Sequence, residues 1–232
     1  MSFELYIYIA TIIAMFLAIY AQIKVSTTFN RFSKTPTATN RTADEVARMI
    51  LDNNGLQNVR IERVRGNLSD HFDPRTNVLR LSDSVYGNRS AAAIGVAAHE
   101  AGHAIQHATG YAPVVLRSKM VPITSFASKF TWIIIMLGIV IMSAGSMLGY
   151  YTLHVGIALF AITTLFQLVT LPCEFDASKR ALVEMDKTGL YSGGELAISK
   201  KVLSAAAMTY VASLVVSALQ LLRLINLVSR KR

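Results

Sequence analysis

Two adjoining apolar runs, Phe130 to Tyr150 and Tyr151 to Leu171, contain no Asp, Glu, Lys or Arg. Each holds about twenty-one residues, which as a helix crosses the roughly 30 Å hydrocarbon core of a bilayer. Placed back to back they predict a membrane hairpin turning around Gly149-Tyr150-Tyr151, with Pro172 ending the second span. Gly145 and Gly149 form a G-x-x-x-G, a candidate close-packing face. Trp132, Tyr150 and Tyr151 lie near the ends, where aromatic belts sit, and His154 reads as an interfacial or structural histidine. Phe3 to Gln22 is a further run whose only early charge is Glu4, so it lacks the basic start of a signal peptide and reads as a retained span. Leu196 to Val228 is the last, strongest from Tyr210, interrupted by Gln220 and Arg223 and followed by Arg230-Lys231-Arg232. It either spans or lies in the interface. The count is three to four transmembrane helices.

Composition agrees. Of 232 residues, 53% are hydrophobic and only 16% charged, too apolar for an ordinary soluble domain. The formal charge of +9 flanks apolar runs, which argues for the lipid bilayer as partner and against nucleic acid. Lys24, Arg31, Lys34 and Arg41 follow the first run and predict that this side is cytoplasmic. If the last run spans, the basic tail ends outside, against the same rule. The single cysteine, Cys173, excludes an intrachain disulfide and a Cys-rich metal site.

The chain between the first run and the hairpin reads as a small α+β domain. Thr42-Ala43-Asp44-Glu45 is a capping-box pattern that opens an amphipathic helix, and Gly55 stops it. Val59 to Val64 and Asn77 to Ser82 read as strands, with a turn-rich loop from Gly66 to Pro74 between them. Ser90 is an N-cap for an Ala-rich helix from Ala91 to about Ala108. The expected divisions are an N-terminal span over 1–23, a catalytic domain over 24–129, the hairpin over 130–171, a segment completing the site over 172–208, and a C-terminal helix with its tail over 209–232.

The Ala91 helix carries His99-Glu100-Ala101-Gly102-His103, an H-E-x-x-H. Histidines at i and i+4 share one face, so both imidazoles can reach one Zn²⁺ with Glu100 beside it as general base. Catalytic zinc needs a third protein ligand. His107 is eight residues from His99, about 12 Å along the axis, and reads better as a supporting residue. A hairpin returns the chain to the side it left, which makes Glu174 the stronger candidate, with Asp176, Glu184 and Asp186 as competitors. The strand over Asn77 to Ser82 could offer an edge to an extended peptide. Asp70, His71 and Asp73 could orient ligands, though Asx-turn chemistry before Pro74 accounts for them too. Tyr210 is either a donor to the reacting carbonyl or an interfacial anchor.

Taken as a set, these residues resemble the YugP-type family of neutral zinc metallopeptidases of bacterial membranes. The resemblance is carried by His99 to Gln106, Gly110-Tyr111-Ala112-Pro113, and Leu171-Pro172-x-Glu174-Phe175-Asp176-Ala177-Ser178. Ser69 to Arg75, Leu79 to Ser82 and Ala207 to Ala212 add to it, so that it runs from about Thr42 to the C-terminus. That family is similar in outline to HtpX and CaaX prenyl proteases, in which a glutamate of an E-x-x-A-D pattern after a membrane hairpin is the third zinc ligand. The resemblance implies Glu174 in that role. Ser178 stands where those relatives have the aspartate, leaving Asp176 as a possible substitute. It also implies a zincin-like catalytic domain in a multi-pass protein of the bacterial inner or plasma membrane, acting on a protein or peptide. The other readings are a non-catalytic scaffold with a relic zinc site, against which Glu100 argues, and a site-2-type intramembrane protease. That class needs a C-terminal Asp, and no Asp follows Asp186.

Overall fold

The computed structural model describes residues 3–229, so the expected basic tail at 230–232 lies outside the described residues. In chain order the elements are α1 (Phe3–Phe32), α2 (Ala43–Asn53), β1 (Arg60–Val64), β2 (His71–Asp73) and β3 (Val78–Ser82). They are followed by α3 (Ala91–Ala108), α4 (Ala112–Ser143), α5 (Met147–Lys187) and α6 (Gly193–Ser229). Four of these, α1, α4, α5 and α6, are long and apolar enough to cross a membrane. The protein is therefore a helical membrane protein with a small α+β part. The chain divides into two units, with α1, α4, α5 and α6 contributing to both.

The membrane unit takes α1 as far as Tyr20, Leu116–Leu171 and α6 from Tyr210. Its outer face is apolar: Phe16, Ile133, Val140 and Tyr151 are each more than 60% exposed, as lipid contact requires. Ile135, Leu153, Ile157, Phe160, Leu224 and Val228 form its interior. Gly138 lets α4 and α5 meet closely, since a Cβ there would stand 2.6 Å from the Leu153 amide nitrogen.

Three expectations are corrected in this part of the chain. The hairpin turns at 144–146, not at Gly149-Tyr150-Tyr151, because Gly145 takes the left-handed φ of +79° that closes the turn, while both tyrosines continue α5. Gly145 and Gly149 are consequently not on one helix face. Nor does Pro172 end a helix. α5 runs through it to Lys187, losing one main-chain hydrogen bond and no more of the helical path. The last apolar run lies in one continuous helix from Gly193.

The second unit comprises Ala21–Val115 and Pro172–Thr209. Thr42 and Glu45 form the capping box of α2 in both directions, and Val46, Ile50 and Leu51 point inward. Together with Leu79, Leu81, Ile94, Ala97, Ala101, Met185 and Leu203 they make one core. The sheet order is β1-β3-β2, with β1 parallel and β2 antiparallel to β3. β3 is the buried central strand, with Val78, Leu79 and Leu81 fully buried, whereas β1 is only partly covered. β2 lies inside the stretch expected to be a loop. Three residues are too short to show a period, and pairing with β3 defines the strand. Since β3 is paired on both sides, it has no edge to offer a peptide; the edges belong to β1 and β2.

Candidate metal and catalytic site

α3 begins at Ser90, whose hydroxyl accepts from the Ala93 amide, and runs eighteen residues without interruption. This sets His99 and His103 one turn apart with ring centroids 4.7 Å apart, edge to face. α5 comes close enough to face them because Gly102 has no side chain: a Cβ there would lie 2.7 Å from the Ala177 carbonyl oxygen. Glu174 thereby places Oε2 3.3 Å from His99 Nε2 and 3.6 Å from His103 Nε2.

The three side chains form a group whose ligand atoms all lie within 4.8 Å of one another. Ligands held about 2.0–2.2 Å from a tetrahedral zinc are about 3.3–3.6 Å apart, so the spacing to Glu174 fits that ion. Two imidazoles and a carboxylate are also a set that zinc accepts in hydrolytic sites. Glu174 is nearly fully buried and Glu100 is 8% exposed.

The partners of the ligands are as informative as the ligands. Gln106, fully buried, donates through Nε2 to the Cys173 carbonyl and to Asp176 Oδ2, both at 2.8 Å. Both partners only accept, so the amide cannot be turned around, and Oε1 must face His103 Nδ1 at 2.9 Å. A neutral His103 then carries its proton on Nδ1 and leaves the Nε2 lone pair free for a metal ion, whereas the imidazolium carries a proton on Nε2 as well, on the side of Glu174. Asp176 is held in turn by Arg180 Nε at 2.6 Å. On the other histidine, Ser178 Oγ lies 3.1 Å from His99 Nδ1. Ser178, which on the resemblance replaces an aspartate, thus reaches a histidine, while Asp176 acts on the other one through Gln106.

Electrostatics follow the same contacts. Burial pushes the His103 imidazole toward the neutral form, but the hydrogen bond with Glu174 and the charges of Glu100 and Glu174 outweigh it and raise its pKa. Burial raises the Asp70 carboxyl, against the bonds it accepts from the Ser82 amide at 2.7 Å and hydroxyl at 2.9 Å.

The remaining sequence candidates separate. His107 packs against the Phe72 ring at 5.6 Å and is not part of the ligand group. His71 is exposed, with Nδ1 2.9 Å from the Ser69 carbonyl oxygen. Asp73 accepts from the Arg75 amide and the Thr76 hydroxyl, which is turn chemistry. Glu184 binds Asn54 and Lys187 rather than the histidines. Tyr210 belongs to the membrane unit. Two further groups at the site follow no sequence pattern. One is Gln106, whose role depends on a partner sixty-seven and more positions away. The other is the Phe72 amide, which donates to Glu100 Oε2 at 3.0 Å and which no side-chain pattern could reveal.

Fold and site together define a multi-span membrane protein with a partly buried His, His, Glu group that could hold a metal ion. The chain belongs to the family described as "putative neutral zinc metallopeptidase", which matches residues 7–229. It is 45% identical over 216 residues to the "putative membrane protease YugP" of Bacillus subtilis (strain 168), the match covering 93% of each chain. No solved structure matches it.

Proposed function

We propose that this protein is a membrane-anchored zinc metalloendopeptidase. The observation that carries the reading is the convergence of His99, His103 and Glu174, with Glu100, the residue next to His99, buried and near enough to act on the charge of His103. His99, His103 and Glu174 would hold the ion. Zinc bound there supplies a Lewis acid for the peptide carbonyl and lowers the pKa of a water toward about 7. Glu100 accepts the proton of the attacking water and passes it to the departing amine. Its Oε2 is held by the Phe72 amide, which fixes the carboxylate before substrate arrives. Gln106 and Ser178 keep the two imidazoles in the orientation that turns Nε2 toward Glu174.

An extended peptide would add to the outer edge of β2, the strand whose Phe72 amide touches Glu100. Run along this edge, its backbone passes directly by the general base. The substrate class is accordingly an extended or unfolded protein segment. The proposed location is the bacterial plasma membrane with the site on the cytoplasmic side, supported by Lys24, Arg31, Lys34 and Arg41 after the first span.

The test uses full-length protein in detergent with casein as substrate. Glu100→Gln keeps the ligands and removes the base. We expect normal zinc content with cleavage reduced by about 10²-fold or more. Undiminished cleavage by that variant contradicts the proposal.

A further inference from the structure

The outer edge of β2 has one amide to give, and Glu100 holds it. In an antiparallel pair the N–H and C=O of one residue face the same side, and successive residues face opposite sides. The Phe72 amide donates to Glu100 Oε2 at 3.0 Å, so the main chain of Phe72 faces away from β3. His71 and Asp73, the other two residues of β2, therefore turn theirs toward β3. The next residue that the alternation would turn outward is Pro74, which has no N–H. The Phe72 ring packs against His107 of α3, with 5.6 Å between centroids, and keeps this short strand beside the helix that carries Glu100. Glu100 is buried, where a carboxylate without donors is costly, so the bond from Phe72 serves it at rest.

We propose that the Phe72 amide is a substrate-binding donor that Glu100 occupies until a peptide chain arrives. This rests on the peptidase reading and adds to it the order of events at the edge. A chain that joins β2 must bring a carbonyl to an outward N–H, as strand pairing requires, and within the strand Phe72 alone has one. The incoming carbonyl therefore takes the donor from Glu100. The hydrogen bond is exchanged rather than lost. The Phe72 N–H passes from carboxylate to carbonyl, and Glu100 Oε2 turns to an O–H of the attacking water. An extended chain long enough to reach Phe72 thus clears the base as it docks. A peptide too short to reach Phe72 leaves Glu100 held.

The test compares two full-length proteins in detergent, at equal zinc content, that cleave casein too slowly to consume it. Glu100→Gln keeps an acceptor for the Phe72 amide, and Glu100→Ala removes it. Dye-labelled casein should bind Glu100→Ala roughly three- to tenfold more tightly, the factor that a net hydrogen bond of this kind gives. Phenyllactic acid in place of Phe72 puts an ester oxygen where the amide nitrogen was, and should abolish the difference. Equal binding by the two proteins, weaker binding by Glu100→Ala, or a difference that survives the ester overturns the proposal. Should Glu100→Ala not fold, Glu100→Gln decides alone. With phenylalanine labelled at nitrogen, the Phe72 amide resonance, assigned by its absence from the ester protein, must move when casein binds; an unmoved resonance overturns the proposal. Cleavage of casein by the unaltered protein tests the peptidase reading separately. A protein that cleaves casein yet binds it equally in both variants loses this inference alone, and one that does not cleave it loses both.

Discussion

Gln106 shows what one residue contributes to a site it never enters. Its amide is fixed by two acceptors, Cys173 O and Asp176, and that orientation dictates the His103 tautomer. Gln106→Leu removes the acceptor from His103 and leaves the Asp176 oxygen and the Cys173 carbonyl without that donor. We expect zinc affinity to fall roughly 10–100-fold, measured by competition with a chelator, and unfolding free energy to fall by about 1–3 kcal/mol. Unchanged affinity would remove Gln106 from the account. Gly102 is a second position where the backbone decides. Gly102→Ala would push a methyl against the Ala177 carbonyl oxygen, 2.7 Å from where the new Cβ would stand. The helices must then separate, at a cost of about 1–3 kcal/mol, and zinc content should drop with it. At this scale His99, Glu100 and His103 were legible because helical spacing alone puts two imidazoles on one face. Gln106 was not, because its partners come from a helix that only the fold brings near.

Among elements, local chemistry predicted helix starts well and long-range pairing poorly. Ser90 opens α3 and Thr42 opens α2, both by side-chain capping that acts within four residues. Thr42→Ala should lower stability by about 1 kcal/mol in a denaturant titration. β2 escaped detection because its three residues are a strand only by virtue of β3 beside them. The 144–146 turn was misplaced by a few residues because continuous apolar sequence gives no internal punctuation, and one glycine with positive φ supplies it. At the end of β2, Asp73 carries a pH signature. Hydrogen bonds from Thr76 and the Arg75 amide, with Arg80 adding to them, hold its pKa down at about 2, below the ordinary 3.8. The folded carboxylate is thus favoured over the unfolded one. Its stabilisation is present above pH 3.8 and disappears as pH falls through about 2. Asp73→Asn should therefore lower the melting temperature at neutral pH. The gap from the unaltered protein should close as the solution is acidified through that window.

For the whole molecule, the sequence made the division into apolar and polar stretches plain, since bilayer thickness sets the length of a span and charge is excluded from it. Chain continuity was less plain: α1, α5 and α6 each run on past the point where composition changes. With four spans, the proposed orientation places position 34 inside and the 144–146 turn outside. In a protein carrying Cys173→Ala, a cysteine at Lys34 should react with impermeant reagent only from the cytoplasmic side, and one at Ser146 only from outside. The reverse pattern would invert the orientation and leave the site chemistry intact. The site depends most on α5 bringing Glu174 to the two histidines of α3. Metal analysis of full-length protein purified with Glu174→Ala measures this directly. We predict about one zinc per chain in the unaltered protein and strongly reduced zinc in the variant; full occupancy in the variant would contradict the assignment.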